Sequence, residues 1–120
     1  MRILITGGPR TGKTTLAGRC IVPTYHTDDA IGLGWSEASA EVARWINRPG
    51  PWVIEGVAVP RALRKWLTAF DGPPCDELIV LTHAHVERTP GQITMAKGVH
   101  TVLDKILPEF EARSVKVSWR

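Results

Sequence analysis

Apolar positions along this chain come in two rhythms, short continuous runs and longer stretches with helical spacing. Ile3-Leu4-Ile5 is apolar on consecutive positions and predicts a buried, central strand over residues 2–6. A short helix follows from Lys13, with Leu16, Ala17 and Cys20 inward and Pro23 limiting it. Val22 to Thr27 predicts a second strand ending at Asp28-Asp29, and Gly32 and Gly34 mark a loop. Ser36 reads as an N-cap with Glu37 in the first turn, and Ala38, Val42, Trp45 and Ile46 then recur at helical spacing. Pro49-Gly50-Pro51 stops that helix.

Trp52-Val53-Ile54 predicts a third strand, ending at Glu55-Gly56. Pro60 suits the first position of another helix, whose apolar face is Ala62, Leu63, Trp66, Leu67 and Phe70. After Gly72-Pro73-Pro74, the run Leu78-Ile79-Val80-Leu81 predicts a fourth strand over Glu77 to Thr82. A polar segment from His83 to Gly98 comes next, broken by Pro90-Gly91. Val99, Val102, Leu103, Ile106 and Leu107 define a last helix that Pro108 should kink or end, with Phe110 packing beyond it. Val115, Val117 and Trp119 alternate with Lys116 and Ser118, the pattern of a half-exposed fifth strand. Strands alternating with helices imply a parallel sheet covered on both faces: a three-layer α/β/α domain spanning residues 1–120.

The junction between the first strand and first helix carries the chemistry. Gly7-Gly8-Pro9-Arg10-Thr11-Gly12-Lys13-Thr14-Thr15 fits G-x-x-x-x-G-K-[ST], the Walker A phosphate-binding loop, in its required strand-to-helix setting. Glycines let successive backbone N–H groups turn toward a phosphate, and the helix start adds positive potential. All nine residues are therefore candidates to bind ATP or another nucleoside triphosphate. Lys13 is expected to reach the β/γ-phosphates, and the Thr14 hydroxyl to ligate Mg²⁺. Arg10 has two options, a phosphate contact or simple solvation.

Ligands of open α/β sheets sit beyond the carboxyl ends of the strands, so acids at those ends are the next candidates. Asp28 or Asp29 is placed to act as a base toward an attacking hydroxyl or to hold a metal-bound water; the plainer role is an Asx-turn or a cap. Glu55 ends the third strand, where a buried carboxylate needs a cation or donors, and Mg²⁺ and Lys13 would supply both. His26 reads as a packed or hydrogen-bonded strand histidine rather than a base. Trp35 follows the Asp pair and is positioned to stack on a base or sugar.

These pieces resemble the small P-loop kinases: the GxPxxGKTT loop, Tyr25-His26-Thr27-Asp28, the isolated Trp35, and Trp52-Val53-Ile54-Glu55-Gly56 with a following Pro60-Arg61. The nearest likeness is to adenylate-kinase-like proteins that include the DNA topology modulation proteins, over residues 1–82. The resemblance implies a five-stranded sheet in the order 2-3-1-4-5, Mg²⁺-ATP as donor, and phosphoryl transfer to a small acceptor. It also implies that Arg61 binds an acceptor phosphate. The chain departs from the pattern in two places. Residues 83–98 are all that remains of the arginine-bearing lid, with Arg88 and Lys97 its full positive charges. The fourth strand ends Leu81-Thr82, without the acid of a Walker B motif, so the metal is expected to be shared between Thr14 and an acid elsewhere, Glu55 or Asp28/Asp29.

Composition narrows the setting. The 120 residues are 43% hydrophobic and 22% charged, ordinary for a globular chain. No apolar run approaches the ~18 residues of a membrane span, and no signal peptide is read at the N-terminus. Cys20 and Cys75 lack metal or redox spacing and are expected to be reduced, in the cytoplasm. A net charge of +3 suits anionic ligands. The expected activity is therefore transfer of a γ-phosphoryl group to a nucleoside or nucleotide, with Lys13, Asp28 or Asp29, Glu55 and Arg88 catalytic and Asp28, Trp35 and Arg61 at the acceptor. Two alternatives stand beside it. The short lid fits a nucleotide-binding regulator or slow NTPase, and a pI of about 9.2 fits a kinase acting on nucleic acid.

Overall fold

Strands β1 (Arg2–Gly7), β2 (Thr24–His26), β3 (Trp52–Glu55), β4 (Glu77–Leu81) and β5 (Lys116–Trp119) form one parallel sheet in the order β2-β3-β1-β4-β5. The structure is a computed structural model that describes residues 1–8, 11–83 and 87–120, with backbone alone for Ile31 and Leu33. Among the described residues the helices are α1 (Lys13–Ala17), α2 (Trp35–Ile46), α3 (Val59–Ala69) and α4 (Pro90–Ala112), with a 3₁₀ segment at Thr27–Leu33. The expected α/β class and strand order are what the chain adopts.

Alternation along the strands divides the core in two. Leu4, Ile54, Leu78 and Val80 pack against Val42 of α2, Leu63 of α3 and Leu103 and Phe110 of α4. Ile5, Val53, Ile79 and Leu81 point the other way, toward Ala17, Leu16 and Cys20. The first face carries three helices and the bulk of the buried volume. Each side chain such as Phe110 or Leu63, fully buried there, contributes about 1.5–3 kcal/mol. β1, paired on both sides and apolar on both faces, is the central strand, and it aims its carboxyl end at the glycine-rich loop.

Several boundaries differ from the expectation. α4 begins at Pro90, so Pro90-Gly91 start a helix instead of breaking a polar segment, and most of residues 83–98 are helical. A capping box explains this start: Gln92 N–H donates to Thr89 Oγ1 (3.2 Å) and Thr89 N–H to Gln92 Oε1 (2.9 Å). Proline needs no donor at the first helical position. The helix continues through Pro108 to Ala112, with Ile106 and Phe110 buried on either side of the proline. α2 is capped by Gly34, not Ser36, and the Ser36 hydroxyl accepts a bond from Lys65 Nζ (3.3 Å). β2 is shorter than Val22 to Thr27, and Asp28 and Asp29 lie in the first turn of the 3₁₀ segment that follows it. None of the described helices is long and apolar enough to cross a membrane.

Candidate functional site

β1 ends at Gly7, and the chain turns through a loop to Gly12, whose φ of 87° opens α1 at Lys13. Gly8 is the hub of this turn. Its carbonyl accepts from Lys13 Nζ (2.8 Å) and from Thr11 Oγ1 (2.8 Å). The lysine thus folds back across the loop, and the buried threonine hydroxyl ties the loop's two ends. A methyl group added at Gly8 would come within 2.6 Å of Ala96 Cβ and 2.8 Å of an Arg88 guanidinium nitrogen. Gly8 therefore lies directly against the α4 backbone at Ala96, with the Arg88 guanidinium beside it.

Burial pushes the Lys13 ammonium below its ordinary 10.5; the Arg88 charge acts in the same direction, and Glu55 and Asp28 oppose it. Two cations and two carboxylates are thus within electrostatic reach of one another at the loop.

Glu55 ends β3 and is only 2% exposed. A carboxylate so deeply buried needs donors. Thr14 Oγ1 donates to Glu55 Oε1 (3.3 Å), and His26 Nδ1 lies 2.6 Å from the same oxygen. The strand register places the histidine there, because His26 and Glu55 are paired residues of β2 and β3. The next residue, Gly56, has φ +147°, and the Thr27 hydroxyl fills the space a side chain would need. That hydroxyl is buried with no hydrogen-bond partner among the described residues. Thr6 Oγ1 donates to the Gly56 carbonyl (3.2 Å), tying the turn after β3 to β1.

A cleft of about 360 Å³ lies between the start of α2, α3 and the first turns of α4, lined by Trp35, Arg61, Gly91, Thr94, Met95 and Gly98. The Arg61 guanidinium carbon sits 5.0 Å from the Trp35 ring centroid, within cation–π range. Neighbouring α4 residues link the two regions, since Ala96 meets the loop and Met95 lines the cleft.

Among the expected site residues, Gly8, Thr11, Lys13, Thr14, Asp28, Glu55 and Arg88 gather at the carboxyl end of the sheet. Gly7 and Gly12 shape the turn that holds them. Trp35 and Arg61 meet in the adjoining cleft. Asp29 and Thr15 are exposed and, among the described residues, make no side-chain bond. Pro9 and Arg10, and residues 84–86 of the expected lid, lie outside the described residues. Lys97 is exposed. Ala96 and the hydroxyl of Thr27 carried no signal in the sequence, because each matters only through a distant backbone.

The donor set fits a hard divalent cation. Thr14 and Glu55 place a hydroxyl and a carboxylate side by side, and Mg²⁺ takes oxygen ligands, usually one or two protein groups plus water and phosphate. Among the described residues no group of three or more His, Cys, Asp or Glu side chains forms a metal cage. Compared with known proteins, the chain matches no family model and none of the curated proteins.

Proposed function

We propose that this chain is a P-loop phosphotransferase. It moves the γ-phosphoryl group of ATP, or another nucleoside triphosphate, to a small acceptor, a nucleoside or nucleotide. The observation that carries the reading is the convergence of Lys13 and Arg88 on Gly8, beside the bond between Thr14 and the buried carboxylate of Glu55. Phosphoryl transfer asks little covalent chemistry of a protein; placement and charge stabilisation supply the rate. Here the loop amides and Lys13 hold the phosphate chain, and Arg88 adds positive charge at the loop. Thr14 and Glu55 would hold Mg²⁺, which neutralises phosphate charge when bound. Asp28, exposed and close enough to act on Lys13, is the base for the acceptor hydroxyl. The acceptor occupies the cleft, with Trp35 offering a ring face and Arg61 a fork for an anionic group. The same pieces support the likeness to adenylate-kinase-like proteins.

The openness of this cleft favours a second reading, a slow NTPase. Trp35 is 40% exposed, and poorly excluded water competes with an acceptor. Incubation with γ-labelled ATP, Mg²⁺ and a panel of nucleosides, nucleotides and DNA or RNA ends separates the readings. Label on a nucleoside or nucleotide supports the kinase. Free phosphate alone supports the NTPase, and labelled nucleic-acid ends redirect the acceptor assignment.

A further inference from the structure

We infer that His26 is a positioning residue for the metal-binding carboxylate, acting through Glu55; the inference rests on the phosphotransferase reading above. Three observations carry it. His26 Nδ1 is 2.6 Å from Glu55 Oε1, the shortest bond either side chain makes among the described residues. The two residues are register partners on adjacent parallel strands, so their backbones fix the pair before any ligand arrives. The Glu55 side chain is 3% exposed and that of His26 38%, so the imidazole is the solvent-reaching member of the pair.

The chemistry follows from the donor count. Oε1 receives both His26 Nδ1–H and the Thr14 hydroxyl. The Thr14 oxygen has two lone pairs, so it can offer one to a cation while its O–H still donates to Oε1, but at 3.3 Å that bond alone holds the carboxylate loosely. The shorter histidine bond keeps the carboxylate aimed at the Thr14 side and spares it from rotating toward Lys13. Nδ1 donates in the neutral Nδ1–H tautomer and in the cation alike, so the role needs no change of protonation. Partners of this kind around a ligating carboxylate are worth about 10–100-fold in metal affinity.

The test is fluorescence titration of the whole chain with the ribose-labelled analogue mant-ATP, in EDTA and across a Mg²⁺ series. The variants are His26→Phe, His26→Asn, Glu55→Gln and the double variant His26→Phe/Glu55→Gln, each checked for native circular dichroism. We expect mant-ATP affinity in EDTA within about twofold of native for His26→Phe, because the loop is untouched. Its Mg²⁺ requirement should rise at least about tenfold. His26→Asn, whose amide nitrogen can replace Nδ1, should recover most of that loss. The double variant should be no worse than Glu55→Gln, since both changes remove one linkage. An unchanged Mg²⁺ requirement in folded His26→Phe overturns the inference alone, and so do additive losses in the double variant. An equal loss in EDTA and Mg²⁺ assigns His26 to the scaffold and overturns it as well. Native protein that binds no mant-ATP in either condition overturns the phosphotransferase reading, and the inference with it.

Discussion

Arg61 lies over the ring of Trp35, guanidinium carbon to ring centroid 5.0 Å, although the two residues start different helices and are 26 positions apart. The contact closes one side of the cleft and holds the guanidinium at its wall. Charge-assisted bonds of arginine to an anion contribute about 1.5–3 kcal/mol. Arg61→Ala should therefore raise the KM for an anionic acceptor about tenfold or more, with ATP affinity nearly unchanged. Trp35→Ala should raise it less, and the two losses should not add. Steady-state kinetics with acceptor varied at saturating ATP checks this; an equal loss of ATP affinity in Arg61→Ala would move the residue to the donor side.

Arg113 closes the end of a helix to which it does not belong. Its guanidinium donates to the carbonyls of Leu67 (3.0 Å), Phe70 (2.7 Å) and Gly72 (3.1 Å), which lie in and just after the last turn of α3. Those carbonyls have no helical partner beyond them. Arg113→Ala should lower unfolding stability by about 2–3 kcal/mol, whereas Arg113→Lys, with one nitrogen, should recover less than half. Urea denaturation reads both values.

Ser114 holds a left-handed conformation, φ 60°, directly after α4. Val115 N–H donates to Phe110 O (3.0 Å) and Ser114 N–H to Glu111 O (3.3 Å), the two bonds of a Schellman ending whose usual residue is glycine. Ser114→Gly removes the Cβ strain and should stabilise the chain by about 0.5–1 kcal/mol in the same denaturation assay. A loss would mean that the serine side chain contributes more than its backbone costs.

The two thiols should behave differently. Cys75 is 1% exposed, and burial pushes its thiol from 9.0 up to about 12, while Cys20 is half-buried on the thinly covered face. Iodoacetamide at pH 8 should modify Cys20 and leave Cys75 intact until the chain is unfolded. The sign of the linkage is also fixed. The unfolded chain gives up the Cys75 proton near pH 9 and the folded chain only near 12, so this group's contribution to stability is complete below 9 and declines from 9 to 12. Cys75→Ala should flatten that decline.

What the sequence disclosed, and what it hid, divides along contact distance. Ile3-Leu4-Ile5 and Leu78-Ile79-Val80-Leu81 announce buried strands because consecutive positions, which face opposite sides of a sheet, are all apolar, and the glycine-lysine-threonine spacing announces the loop because its geometry is local. Glu55 was legible from its place at a strand end. Its bond to His26 was not, since it depends on which residues of β2 and β3 fall in register. The start of α4 was misplaced although the local signal existed: Thr89 and Gln92 form a capping box, but the proline and glycine between them read as a break. Arg113 at α3 and Ala96 against Gly8 are long-range contacts with no periodic trace.

Binding of ATP by calorimetry, in native protein and in Lys13→Ala, tests the central claim most directly. The ammonium that bonds Gly8 in the free loop should transfer to phosphate oxygens, so native protein should bind Mg²⁺-ATP and Lys13→Ala should lose at least about tenfold in affinity while staying folded. No binding heat from native protein, or equal affinity in the two, would contradict it.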